Sequence, residues 1–320
     1  MTASALIAID WGTTLARAWR FDADGVIRER RSAPLGLRRI HGSRFEAALL
    51  ELLGPWRGDR APRIACGMVG SRQGWVEAPY VDCPASLAAL AEHLVASPGG
   101  ELTIVPGVAT VDTRGIPDAM RGEETQLLGA VGLGEADVLA VLPGTHSKWA
   151  RVDRGRVIDF ATFMTGELYT LLLEHSMLGR LASGAPGDGA DDAFARGVAH
   201  GLEAGELMHD LFGARTLALA GELAPDDVAE WLSGLLIGRE IRAGLAWART
   251  LGAGAGGVRI IGDDALADRY ERALCDAGFA SETASADAAA YGLWRIAVRA
   301  GWLAVPAIEE RDAQRADVRS

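Results

Sequence analysis

Short apolar runs separated by glycine-bearing turns open the chain. Leu6–Ile9 is apolar, Asp10-Trp11-Gly12-Thr13-Thr14 interrupts it, Ala16–Phe21 resumes, Asp22-Ala23-Asp24-Gly25 interrupts again, and Val26–Arg31 completes the series. Runs of this length with glycine at each reversal predict a three-stranded meander. The same order returns later as Val138–Leu142, the turn Pro143–His146, Ser147–Val152, the turn Asp153–Gly155, and Arg156–Phe160. Two meanders, each with a Gly-Thr turn after its first strand, predict an internal structural repeat. Its signature is the order of elements and turn residues, since the two copies share little identity.

Between the meanders, Arg121–Gly132 reads as a helix entered through Gly122-Glu123-Glu124, with Leu127, Leu128 and Val131 on one side. Helical periodicity then dominates Gly166–Leu178, Ala190–Leu211, Asp226–Leu251, Ala265–Ala277 and Ala286–Ala300, interrupted by a strand at Val258–Ile261. Ser183–Asp188 and the tail after Glu309 are polar or small-residue segments that read as mobile. At 320 residues the chain is long for one core. The expectation is two related α/β lobes, an N-terminal one over residues 1–132 and a C-terminal one over 133–320, with a cleft between them.

Composition narrows the partners. A hydrophobic content of 49% supports a buried core, so extensive disorder is not expected. A net charge of −11 and the lack of any basic run exclude nucleic acid as the expected partner. No apolar stretch reaches membrane-spanning length, and no basic region precedes the first apolar run, so a protein with neither membrane span nor leader is expected. Three cysteines without paired spacing suit a reducing, cytoplasmic setting. Oligomeric state is left open.

Several motifs lead nowhere. Gly252–Gly257 matches the dinucleotide fingerprint but precedes a strand instead of following one. Six histidines form no metal-ligand spacing, and Gln73 breaks the esterase elbow begun by Gly70-Ser71-Arg72. Lys148, the only lysine, is not part of a Walker motif and reads as an exposed strand lysine.

The paired turns carry the chemistry. Gly12-Thr13-Thr14 and Gly144-Thr145 can each offer N–H groups and hydroxyls to phosphate oxygens. Strand alternation puts Thr145 and Ser147 on one face. Asp10, just before the first turn, is a candidate to hold a hydrated magnesium ion.

Six blocks in order resemble the 2-dehydro-3-deoxygalactonokinase family: Ala8–Thr13, Gly67–Ser71, Met120–Leu127, Leu142–Trp149, Met164–Leu168 and Ser233–Gly238. The resemblance covers residues 6 to 298 or so. It implies two ribonuclease-H-like lobes of the actin/hexokinase/heat-shock ATPase superfamily, with transfer of the γ-phosphate of ATP to the 6-hydroxyl of 2-dehydro-3-deoxy-D-galactonate. Under it, Asp10–Thr14 and Pro143–Ser147 are phosphate segments and Ile260–Leu266 is the adenosine segment. Gly262 is its backbone contact, although Asp263-Asp264 departs from the usual small residues. Glu123 and Glu124 stand where related kinases place a catalytic aspartate, and Asp10 is a rival base. A 2-oxo acid needs its carboxylate held, for which Arg39 and Arg121 are the candidates. Ser71 and Gln73 are candidates for the sugar hydroxyls, and Trp75 either covers the sugar or belongs to the core. Glu167 reads as a first-turn acid of its helix.

Overall fold

The opening meander folds into strands β1 (Leu6–Trp11), β2 (Ala16–Phe21) and β3 (Ile27–Ala33). The structure is a computed structural model that describes residues 4–40, 44–180, 182, 187, 189–252 and 256–304. Most of Ser183–Asp188, the middle of the glycine run 252–257 and the tail after Glu309 lie outside these. By contacts the chain divides into two units. One is Met1–Asp137 with Val152–Phe160 and Ser285–Ser320, the other Val138–Arg151 with Ala161–Ala284. Two segments therefore return to the first unit, where the sequence predicts a single cut after residue 132.

In the first unit β1 is buried at all positions and pairs antiparallel with β2 and parallel with β4 (Arg63–Cys66). Helix α1 (Phe45–Leu53) lies in a stretch for which the sequence pattern made no prediction. It buries Phe45, Ala48, Leu49, Leu52 and Leu53, an apolar stripe at helical spacing, against Ile7, Ile9 and Trp11. There follow β5 (Tyr80–Asp82), β6 (Ala85–Ser86), α2 (Leu87–Glu92, capped by Ser86), β7 (Val95–Ala96) and β8 (Thr103–Ile104). A small sheet of β9 (Gly107–Val111), β10 (Pro117–Met120) and β5 leads into α3 (Glu123–Ala130).

The second meander is β11 (Val138–Leu142), β12 (Ser147–Asp153) and β13 (Arg156–Phe163). After it come α4 (Thr165–His175), α5 (Ala190–Leu202), α6 (Leu207–Asp210), α7 (Gly213–Leu219) and α8 (Val228–Thr250). β14 (Val258–Ile260), α9 (Asp264–Asp276) and β15 (Ser281–Thr283) complete the second unit, and α10 (Ala288–Arg299) belongs to the first. The expected helix over 190–211 is broken at Glu203–Gly205. Arg239 donates to the carbonyls of Glu203 and Gly205 (2.9 and 3.1 Å), which fixes the chain outside a helical path.

The repeat is present in the topology. The order β3-β2-β1-β4-β8 in one sheet is matched by β13-β12-β11-β14-β15 in the other. In both, the first strand of the meander pairs in parallel with the next strand inward, β1 with β4 and β11 with β14. Each Gly-Thr turn thereby stands at the carboxyl end of a central parallel strand. The second unit's core joins Leu139, Val141 and Trp149 to Ile237, Ile241 and Tyr270.

Candidate active site

Parallel pairing sets Asp10 opposite Cys66 where β1 and β4 end. Carboxyl ends of strands in open α/β sheets are where ligands bind, because the chain turns away there. Gly67 (φ +92°) follows β4, and a Cβ on it would lie 2.8 Å from the Trp11 carbonyl oxygen and 3.3 Å from Asp10 Oδ1. Gly122 (φ +110°) precedes α3, and its Cβ would come within 3.1 Å of the Gly67 Cα. Only glycine tolerates both the left-handed φ and this approach. The two glycines thus bring the start of α3 up to Asp10. Asp10 Oδ2 accepts from Arg17 at 2.5 Å. In the first turn the carbonyls of Gly12, Thr13 and Thr14 accept N–H groups from Leu37, Arg38 and Gly36 at 3.0–3.1 Å, while the Thr13 and Thr14 side chains are exposed.

The two glutamates differ. Glu123 is half-buried, and its Oε2 accepts the Arg121 N–H at 2.9 Å. Glu124 is fully buried, accepting the Gly122 N–H at 2.7 Å and the Thr125 hydroxyl at 2.8 Å. Burial, and next the neighbouring Glu123, push its carboxyl up to about 8. Burial likewise pushes the Cys66 thiol up, with Asp10 and Glu124 adding to it.

A carboxyl that keeps its proton until about pH 8 in the fold, but releases it near 4.5 when unfolded, makes the native state lose stability as pH rises through that window. Glutamine has no proton to release, and the Thr125 hydroxyl can turn to accept from its amide. Glu124→Gln is therefore expected to gain stability over wild type between pH 5 and pH 8, by on the order of a few kcal/mol. Thermal melts at the two pH values check this, and parallel pH dependence of the two proteins would refute it.

The substrate candidates separate. Arg121 is 8% exposed, stacks on the Tyr80 ring at 4.2 Å and donates Nη2 to the Ala78 carbonyl at 2.8 Å. Among the described residues its Nε and Nη1 have no partner, and neither has the buried Ser71 hydroxyl. Gly70, next to Ser71, admits the guanidinium, since a Cβ there would lie 3.1 Å from Nη1. Arg39 is exposed in a 3-10 turn with a long 3.4 Å contact to the Pro34 carbonyl, and Gln73 is also exposed. Trp75 belongs to the core, stacked on Phe45 at 6.0 Å and edge-on to Trp11 at 6.4 Å.

In the second unit, a cavity of about 510 Å³ opens beside the Gly144-Thr145 turn. Thr165, Gly166, Tyr169 and Thr170 of α4 form one side, Ser233, Leu236 and Ile237 of α8 a second, and Asp263, Leu266, Arg269 and Tyr270 a third. Parallel pairing of β11 with β14 places Gly262 against Pro143, where a Cβ would make only ordinary contact at 3.6 Å. Asp263, not Gly262, reaches the cavity, and its carboxylate caps α9 at Leu266 N. Glu167 does more than favour its helix. Its N–H donates to the Thr145 carbonyl at 2.9 Å and its carboxylate pairs with His146, so α4 clamps the turn.

Two expectations for β12 need correcting. Ser147–Ala150 is buried throughout, so Lys148 is not an exposed strand lysine; it is 4% exposed and donates to the His146 carbonyl at 3.1 Å. Ser147 does not share an open face with Thr145, because its hydroxyl points inward to Tyr270 Oη at 3.2 Å.

Two copies of one sheet order, each with a Gly-Thr turn at the carboxyl end of its leading strand, define the actin/hexokinase fold. The solved activator of the 2-hydroxyisocaproyl-CoA dehydratase from Clostridium difficile shares that fold, with a TM-score of 0.51 over 92% of this chain and 95% of that one, at 11% identity. The profile of the 2-keto-3-deoxy-galactonokinase family matches residues 10–296, and the chain belongs to that family. The 2-dehydro-3-deoxygalactonokinase of Escherichia coli (strain K12) is 40% identical over 268 residues, 84% of this chain and 88% of the relative. A crystal structure from Sinorhizobium meliloti assigned to the same activity has a TM-score of 0.80 at 36% identity, over 93% of this chain and 99% of that one.

Proposed function

We propose that the protein transfers the γ-phosphate of ATP to the 6-hydroxyl of 2-dehydro-3-deoxy-D-galactonate, giving the 6-phosphate and ADP. The acceptor assignment rests on family membership, and what supports it within this chain is Arg121. A guanidinium buried with Nε and Nη1 unpaired among the described residues is costly, and a carboxylate is the ligand chemistry that satisfies it. Ser71, whose hydroxyl is likewise unpaired, is the adjacent group for a 2-oxo or hydroxyl oxygen. Arg39 has neither feature.

ATP fits the cavity of the second unit, whose volume lies in the usual range for small-molecule sites. The Gly144-Thr145 turn serves the phosphates and the α9 end the nucleoside. Asp10, with Thr13 and Thr14 beside it, serves the transferred phosphate. Magnesium keeps most of its water shell and needs one or two carboxylates. Asp10 offers one, and among the described residues no cluster of three or more His, Cys, Asp or Glu is placed to enclose an ion. When bound there with the nucleotide, the ion would neutralise phosphate charge. Glu123, half-buried beside this position, accepts the proton of the 6-hydroxyl, while Glu124, protonated at neutral pH, shapes the start of α3. Three unpaired cysteines are consistent with a reducing, cytoplasmic setting.

ADP release should be followed with magnesium-ATP and, in turn, the galacto acid, its gluco epimer, glucose and glycerol. The expected result is a clear preference for the galacto acid, and turnover of another acceptor instead would overturn the substrate assignment. In the same assay Arg121→Leu should raise KM for the sugar acid roughly 10- to 100-fold and leave KM for ATP within twofold. An unchanged KM for the acid would remove Arg121 from the site.

A further inference from the structure

Resting on the reading of the second unit's cavity as the nucleotide site, we propose that Glu240 is a positioning residue for nucleotide binding. It lies behind the cavity wall, where it ties the phosphate turn to α4, α8 and α9. The side chain projects from α8, is 3% exposed and does not line the cavity. Its Oε1 accepts from the Trp149 indole at 2.9 Å and its Oε2 from Tyr270 Oη at 2.7 Å. The Thr165 hydroxyl and, more weakly, the Ser147 hydroxyl also favour its charged form.

A carboxylate offers about four acceptor positions, and the Trp149 N–H and the Tyr270 O–H fill two of them. The groups around it come from β12, α4 and α9, and three of the four are linked to the cavity. Thr165 and Tyr270 are part of its wall. Ser147 Oγ lies 3.4 Å from the Gly144 N–H and 3.5 Å from the Gly144 carbonyl oxygen, so it sits directly under the turn. Ser147 also touches Tyr270 at 3.2 Å, which closes the network into a ring.

Burial pushes the Glu240 carboxyl up, and the polar groups around it oppose that. A core held together by packing alone has no need of a buried carboxyl, because an apolar side chain of similar volume is often as stable or more so. What the carboxyl adds is direction. It fixes which way the hydroxyls beneath Gly144 point, and with them the backbone that meets the phosphates.

The direct test titrates the full-length protein with a fluorescent ADP analogue and magnesium, alongside KM for the sugar acid. Glu240→Gln keeps the volume but presents an amide N–H to a donor, and is expected to weaken nucleotide binding about tenfold or more. KM for the sugar acid should stay within twofold, a split that general loss of stability would not produce. Ser147→Ala, a smaller change, should weaken nucleotide binding severalfold. The double variant should fall short of the product of the two, because both act through one network.

A folded Glu240→Gln that binds the analogue like wild type overturns the proposal, and so does an equal rise in both constants. If Glu240→Gln does not fold, wild-type affinity in Ser147→Ala overturns it. Wild-type protein that binds no nucleotide defeats the reading of the cavity itself, an outcome distinct from either.

Discussion

Asp10→Asn is expected to cut kcat by two to three orders of magnitude while leaving the protein folded. Backbone pairing of β1 with both β2 and β4 holds this position whatever its side chain. Asparagine has the same shape and fits the same space against Gly67. What disappears is the negative charge, and the partly exposed Arg17 is left to water. If Asp10 faces the transferred phosphate with its metal, that charge counts most in the transition state, so kcat should fall further than KM for ATP rises. Single-turnover transfer should be compared across three variants. Glu123→Gln should lose about two to four orders of magnitude. Glu124→Gln should stay within about tenfold of wild type, since its target has both oxygens engaged and carries a proton at neutral pH. Wild-type rates in Asp10→Asn and Glu123→Gln together would place the reaction elsewhere.

The ends of this site were legible because backbone punctuation fixes them. Glycine at a reversal between two apolar runs has few alternatives, so both meanders and both Gly-Thr turns could be read from the chain and the matching sheet orders follow from them. What lay between was harder. Residues 63–120 contribute strands of two to five residues, too short to show a period. Direction of side chains was the other weak point. Ser147 and Thr145 satisfy one alternation rule on paper, but residue 145 is still in the turn and only residue 147 is in the strand, so their faces are unrelated. Trp75 follows the same lesson, because its place against Phe45 depends on α1, which the pattern did not reveal. Glu240 shows no sequence signal beyond being one of several charges in α8. The polar groups around it come from residues 147, 149, 165 and 270, and only the fold assembles them.

Gly129→Ala should destabilise the protein by about 3 kcal/mol or more, lowering Tm by roughly 5–10 °C. The sign is what makes this informative. In a helix interior, replacing glycine with alanine ordinarily stabilises by up to about 1 kcal/mol. Here a Cβ would stand 1.8 Å from the Ala288 carbonyl oxygen and 2.5 Å from the Gly292 nitrogen. Across the same seam, a Cβ on Gly292 would meet the Thr125 carbonyl oxygen at 1.9 Å. These neighbours are backbone, which cannot swing aside as a side chain does, so α3 and α10 must separate. Arg295 holds them together at the far end by donating to the Leu128 and Val131 carbonyls, which leaves tilting as the easier response. Tilting moves the start of α3, where Glu123 and Glu124 stand beside Asp10. Activity should therefore fall at temperatures well below the melt. Because helices parted by one methyl group have room for a second, Gly129→Ala with Gly292→Ala should cost less than the sum of the single changes. Gly58→Ala, with nothing within 4 Å of its Cβ, should stay within about 0.5 kcal/mol of wild type. Calorimetry beside single-turnover rates for wild type and the four variants decides it, and a Gly129→Ala protein more stable than wild type would mean that α3 and α10 do not approach this closely.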